Sequence, residues 1–343
     1  MTMTDPARKR ANPFWLWAPY VVIALVFAGW TGVWFEIRGQ VAAAMDQALA
    51  KAQVAGIDAD WRRFSIGGYP FTIKVIVHSA YAEEPTGWGL YVPRIEAVAN
   101  AFDLNHWVVA APEGVKLDRP SAGVTAISGP VLRMSWVGQG DSAPRIVVEG
   151  LKLTFTPQPG ANPFPLASVD RAVFYTRTLP ADRVEARLFL DGAHASPASR
   201  LSAVTGPAPM ALMWQGTLSH LRAFQGKDAS AAAASWSAAG GTLTTTYCGA
   251  AAGGRTLGVH ASQLSTDADG RLTGEAQLEL KGGGDAMRGL GAVHAINPIA
   301  ASLAGGVLDG IEASTGKAHI DLRFQNGSAK LEPFPISPSP KLF

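Results

Sequence analysis

Seven histidines, two close carboxylate pairs and one cysteine are the side chains with which this sequence would begin acid–base, metal or nucleophilic chemistry. The histidines are His78, His106, His194, His220, His260, His294 and His319, and none stands at i, i+2 or i+4 from another. Metal boxes need such spacings to bring two imidazoles to one ion, so none is indicated. The carboxylate pairs are Asp58/Asp60 and Glu83/Glu84. General acid–base work needs two carboxyl groups converging in a cleft with their pKa values driven apart. Near neighbours in turn-like segments are solvated instead. Cys248 sits in "TTYCGAAAG" with no basic neighbour to lower its pKa, which fits a small packed thiol better than a nucleophile. No G-x-S-x-G elbow, Walker loop or dinucleotide fingerprint is present, and Gly282 to Gly284 is too bare to cradle a phosphate. The expectation is a protein that is not an enzyme and holds no cofactor or metal.

The elements around these residues point elsewhere. Trp15 to Phe35 is 21 residues without a charge, and at about 1.5 Å per residue a helix of that length spans a bilayer core. Arg8, Lys9 and Arg10 precede it, which keeps residues 1–14 in the cytoplasm as a basic tail and sends the remainder across. Aromatic residues mark both ends of the segment. A cleaved signal peptide is the alternative, with Val26-Phe27-Ala28 resembling a cleavage site, but the apolar run continues past it. Residues 36–56 follow as a helical stalk: Val41, Met45, Leu49 and Ala52 recur at helical spacing and Gly56 suits the position after a helix end.

From residue 57 to 343 the period becomes two. Gly67, Gly68, Tyr69, Pro70 and Phe71 form a hairpin turn after a short strand over residues 61–66, and Phe71, Ile73, Val75 and Val77 then share one face of a long strand. Similar alternation recurs over Leu151–Phe155, Val184–Leu190, Ala276–Leu280 and Ala318–Phe324, with Asp191-Gly192, Asp269-Gly270 and Asn326-Gly327 as turn signals. The pattern predicts a mainly β, α+β fold: an N-terminal transmembrane helix, then a long twisted antiparallel meander partly covered by helices. Asp285 is the expected cap of a helix running to Ala295, and a second helix is expected over Ile299–Ile311. "ASAAAASW" (229–236) reads as helix or as small-residue strand. Residues 158–165 and 196–209 read as loops, the second as a possible subdomain break, and the proline-punctuated tail cannot be a central strand.

Charged residues are only 16%, against about 25% in average chains, and the formal net charge is +2. Nucleic acid is therefore not an expected partner. Six of the ten tryptophans lie outside the anchor, where they suit either a packed core or an aromatic-lined groove. Phe71, Ile73, Val75, Val77, Trp88 and Trp107 are the candidate groove residues.

"GYPFTIKVIV", "GWGLYVPRIEAVANAFDLNHWVVAAP" and "LRFQNGSAKLEPFPISPSPKLF" occur here in that order, and together they resemble the domain of unknown function 2125 family of alphaproteobacteria. One departure is Leu331-Glu332-Pro333, where the family pattern has Leu-Gly-Pro. The layout is also similar, more distantly, to the N-terminal parts of AsmA-like envelope proteins. The first resemblance implies a place, the bacterial inner membrane with the bulk of the chain periplasmic, and no assigned activity. The second implies a groove-shaped sheet that handles phospholipid or another envelope lipid, or supports outer-membrane assembly. The expected partners are thus the membrane, through a single N-terminal anchor, and an envelope lipid. The alternative is an interaction module that pairs with envelope proteins through its sheet edges.

Overall fold

The computed structural model describes residues 14–342 except 141, 198, 227 and 332–333. The basic tail at Arg8–Arg10 and the Glu332-Pro333 departure lie outside the described residues.

The expected anchor and stalk form one uninterrupted helix, α1 (Phe14–Val54). It ends before Gly56, whose φ of 81° is the left-handed conformation that glycine adopts freely. Ten strands follow before the next helix. They are β1 (Asp58–Gly67), β2 (Thr72–Glu83), β3 (Gly89–Asn100), β4 (Asp103–Ala110), β5 (Val115–Asp118), β6 (Thr125–Ser128), β7 (Val131–Gln139), β8 (Ser142–Pro157), β9 (Leu166–Leu179) and β10 (Arg183–Ala195). Then come α2 (Arg200–Thr205), β11 (Met210–Leu218), a single 3-10 turn and α3 (Ala229–Ala238). The chain closes with β12 (Leu243–Ala252), β13 (Arg255–Thr266), β14 (Leu272–Lys281), α4 (Gly283–Ala292), α5 (Pro298–Thr315), β15 (Ala318–Gln325), β16 (Ser328–Leu331) and β17 (Phe334–Pro338).

Among the described residues all the strand pairings are antiparallel, and they join seventeen strands into one sheet. Pairing follows chain order except in the middle, where β3 pairs with β4 along one stretch and with β5 along another. β7 and β6 then pair with β4 and β5 respectively, and both return to β8. The meander expected from the period-two pattern is therefore present, mostly as hairpins, with a few helices. Asn326-Gly327 makes a two-residue hairpin turn with φ of 53° and 71°.

Several details differ from the sequence-based expectation. β1 starts at Asp58, three residues before the expected Trp61. Asp191-Gly192 makes no turn: it lies inside β10, where Gly192 at φ 59° forms a bulge. On β8, Lys152 adopts φ 46° and breaks the alternation expected over Leu151–Phe155. Leu153 is buried with Val169, Ala193 and Met210, whereas Leu151 pairs with Arg171. Residues 229–236 are helical because Asp228 caps α3, its carboxylate accepting from Ala231 N, and Trp236 is buried beneath it. The 196–209 loop contains α2, capped by Ser199. Asp285 does not cap α4. Gly282 stands at that position in the left-handed region, and Asp285 pairs with Arg288 in the first turn. α5 runs four residues past the expected Ile311 to Thr315, started by Asn297, which accepts from Ile299 N and Ala300 N, with Pro298 as its first residue.

α4 and α5 pack through glycines. A Cβ on Gly284 would lie 2.0 Å from Asp309 Oδ1 and 2.8 Å from the Gly305 carbonyl oxygen. Alanine is the better helix former, yet Gly284→Ala is expected to destabilise by ~1–3 kcal/mol through overpacking. Thermal unfolding of the detergent-solubilised chain checks this. A raised melting temperature would mean that propensity wins and the contact is loose.

Candidate functional site

Directly opposed residues in an antiparallel pair point to the same face. Following these partners strand by strand therefore traces a face across the whole sheet. From Ile66 on β1 the row runs through Val75, Ala97, Val109, Met134, Val148 and Phe174. It continues through Leu188, Trp214, Cys248, Val259 and Leu278 to Ile320 on β15. Every residue in this row is apolar or a thiol. The row on the opposite face is mixed: Glu96, Arg133, Glu149, Glu279 and His319 carry charge or a titratable ring towards its two ends, and Val173, Phe189 and Met213 lie between them.

The charged face is laced by ion pairs. Glu96 meets Lys74 at 2.8 Å and Arg94 at 2.6 Å, Glu149 meets Arg133 at 2.6 Å, and Glu279 meets Lys317 at 2.5 Å and His319 at 3.4 Å. The hydrogen bond from Lys74 holds Glu96 below the usual carboxylate range, and that from Lys317 does the same for Glu279. Glu185 is buried and shared by Arg177 and Arg187, and its Oε1 accepts from Gln215. These groups neutralise one another along a solvated surface.

The apolar face is covered by helix at its two ends. At the first end α1 lies on the first hairpins. Trp34, Ile73, Val75, Val77 and Ala101 are buried there, with Trp30, Ile37, Val41, Met45, Ile66, Ala97 and Trp107 packed around them. Of the candidate groove residues, Ile73, Val75 and Val77 are thus filled over by α1 and line no open groove. Phe71 and Trp88 are exposed, and Trp107 is half-buried with its Nε1 donating to Leu104 O at 2.8 Å. The part of α1 beyond Phe35, expected from the sequence as a helical stalk continuing the apolar segment, helps to cover them. At the other end, α2 and α4 overhang the sheet and enclose a cavity of about 400 Å³. Leu212, Leu257, Leu278 and Leu280 form its floor, and Leu201, Met287 and Leu290 its roof, with Arg255 and Lys281 at the margin. Between the ends, Val109, Met134, Val148, Phe174, Leu188 and Trp214 continue the apolar row half-buried. From β4 to β14 the row crosses nine strands, roughly 40 Å at the usual ~4.8 Å spacing.

The reactive residues singled out in sequence are scattered. Asp60 accepts from the backbone N–H of Trp61, Glu83 accepts from the Tyr81 hydroxyl, and Glu84 accepts from Thr86 Oγ1 and Ala229 N. The bond to Glu83 pushes the Tyr81 phenol up to about 12. Cys248 lies in the apolar row, and burial alone raises its thiol pKa, the reverse of activation. Among the described residues no three His, Cys, Asp or Glu side chains are grouped to hold a metal ion. Sequence reading missed the row itself. Its signal is the alternation in each strand, but only register shows that the apolar positions join.

The fold and site define a class: an open antiparallel β-sheet with one charged and one apolar face, led by a helix long and apolar enough to cross a membrane. Residues 34–340 match the model of the DUF2125 family, described as uncharacterized protein conserved in bacteria, and the chain belongs to that family. No curated protein and no solved structure matches it.

Proposed function

We propose that this protein is anchored in the bacterial inner membrane, with its N-terminus cytoplasmic and its sheet periplasmic, and that the apolar face is a trough that binds envelope lipid and helps it move. It does so by binding alone, without a catalysed reaction. The observation that carries this is the unbroken apolar row, which starts under the membrane helix and ends in the apolar cavity. That cavity falls within the ~300–1,000 Å³ typical of small-molecule sites. Arg255, itself 3.7 Å from Asp285, and Lys281 at its margin suit a lipid with an anionic headgroup. A row of roughly 40 Å exceeds one leaflet's share of a ~30 Å hydrocarbon core, so acyl chains have room to lie along it.

The full chain, extracted in mild detergent and examined by native mass spectrometry with lipid extraction, is expected to carry phospholipid or another envelope lipid at near-stoichiometric amounts. A lipid-free chain would overturn the proposal. The second reading, a protein-interaction module, is favoured by one feature. Ile299, Leu303 and Val307 recur every fourth residue on α5 and are 73%, 58% and 49% exposed. A lipid-free result together with photo-crosslinking of an envelope protein at position 303 would establish that alternative.

A further inference from the structure

We infer that the tips of the β1–β2 and β3–β4 hairpins are seated in the outer interface of the same bilayer that α1 enters. The level of α1 at which they are bound carries this inference. Trp15 to Phe35 is the uncharged stretch, and 21 residues at about 1.5 Å each match the ~30 Å hydrocarbon core, with Glu36 as the first charge beyond it. The hydrogen bonds and ring contacts that tie the tips to α1 fall inside that stretch, between Phe27 and Trp34. Trp30 Nε1 donates to the Pro70 carbonyl at 2.9 Å, and Trp34 Nε1 donates to the Thr72 carbonyl at 3.1 Å. The Tyr69 hydroxyl lies 2.7 Å from Thr31 Oγ1, and its ring stands edge-on to Phe27 with centroids 6.0 Å apart. From the second tip, Phe102 stacks on Trp30 at 4.4 Å. Ala101 N donates to Phe71 O at 2.9 Å, which ties the two tips together.

Trp30 is five residues before Phe35, so it lies roughly 7–8 Å inside the end of the span for an upright helix. Groups fixed at that level share its surroundings. Phe71, Phe102 and Tyr69 are 61%, 66% and 41% exposed, an expensive arrangement in water and the expected one at the headgroup–acyl boundary. Residues 67–71 and 100–102 contain no charge, and the first charges on leaving the tips are Lys74 and Asp103. The exposed aromatics continue the apolar surface of α1, where Val26 and Phe27 are also exposed. The occupant of this patch is therefore lipid, continuous with the lipid around α1. Seating the tips fixes the sheet's tilt and brings the start of the apolar row to the bilayer surface. The inference depends on α1 entering the membrane and not on lipid binding in the trough.

The test uses the full chain in nanodiscs of phosphatidylcholine and phosphatidylglycerol. On a Cys248→Ala background, single cysteines Phe71→Cys and Phe102→Cys carry a polarity-sensitive fluorophore. Phe27→Cys marks the span, and His319→Cys marks the far end of the sheet on the face opposite the apolar row. With lipid brominated near the glycerol end of its acyl chains, labels at 71 and 102 are expected to be quenched at least about twofold more than the label at 319, as interfacial aromatics would be. Quenching at 27 with none at 71 or 102 would overturn the inference. Each tip position reads independently, so a variant that fails to fold at one leaves the other decisive. Co-purified lipid is scored separately, so failure here does not mimic failure of the trough.

Discussion

Leu188→Glu is expected to lower the lipid recovered per folded chain by about tenfold or more, while Met213→Glu leaves it unchanged. Leu188 sits near the middle of the apolar row, opposed by Phe174 on one side and Trp214 on the other. An acyl chain running between the two covered ends must pass over it. Placing even an uncompensated polar group against hydrocarbon costs about 1–3 kcal/mol by mutational measures, and an ionised carboxylate costs more. Every ~1.4 kcal/mol is tenfold in affinity, so a single charge is enough to interrupt the path. Met213 is the control because it opposes Phe189 on the neighbouring position, faces the charged side and is 38% exposed. Lipid extraction and native mass spectrometry on both variants, normalised to folded protein by circular dichroism, give the comparison. Equal losses in both would trace the effect to general damage. No loss in Leu188→Glu would mean that the row carries no lipid, and the trough proposal would fail.

The architecture was legible because each strand announces itself locally. Period-two alternation and dipeptides such as Asn326-Gly327 depend only on neighbours in sequence, and they marked the meander. The GGYPF stretch also has a local origin: β1 ends at Gly67 and β2 starts at Thr72. Bulges were not legible. Lys152 in the left-handed region has no sequence signature, since lysine seldom goes there, and Asp191-Gly192 carries a hairpin signature while serving as an irregularity inside β10.

The candidate groove was half legible. That Ile73, Val75 and Val77 share a buried face follows from spacing. What covers that face does not. α1 was read as anchor plus stalk because hydropathy describes a helix by its average, and it cannot say that Trp34 and Val41 turn toward a sheet. The open part of the face, from Val109 to Trp214, was invisible for another reason. It is assembled one residue per strand by register, and a slip of one position on β7 or β10 would have placed Arg133 or Arg187 in the row. Register is a property of strand pairs, so a single strand's sequence holds only half of it.

Trp34→Ala is expected to destabilise the protein by ~3–5 kcal/mol, the usual cost of emptying a large aromatic site in a core. At a few degrees per kcal/mol for a chain of this size, that is on the order of 10 °C in melting temperature. Trp34 is 4% exposed and central to the cluster that joins α1 to the first hairpins. Its ring also packs edge-on against Tyr69 at 5.5 Å, so removing it loosens the turn as well as the helix. Trp34→Phe keeps most of the ring but loses the bond to Thr72 O, and is expected to cost only ~1 kcal/mol. Trp17→Ala, at a residue 63% exposed near the other end of the helix, should leave the melting of the sheet unchanged. Thermal unfolding of the three variants in the same detergent, followed by the sheet's circular dichroism, separates the cases. If Trp34→Ala melts like the parent, helix and sheet are independent bodies, and nothing sets the apolar row relative to α1. If the order is Ala, then Phe, then Trp17→Ala, α1 is part of the sheet's own core. On the proposed topology, the place where the row begins is then set by the same helix that enters the bilayer.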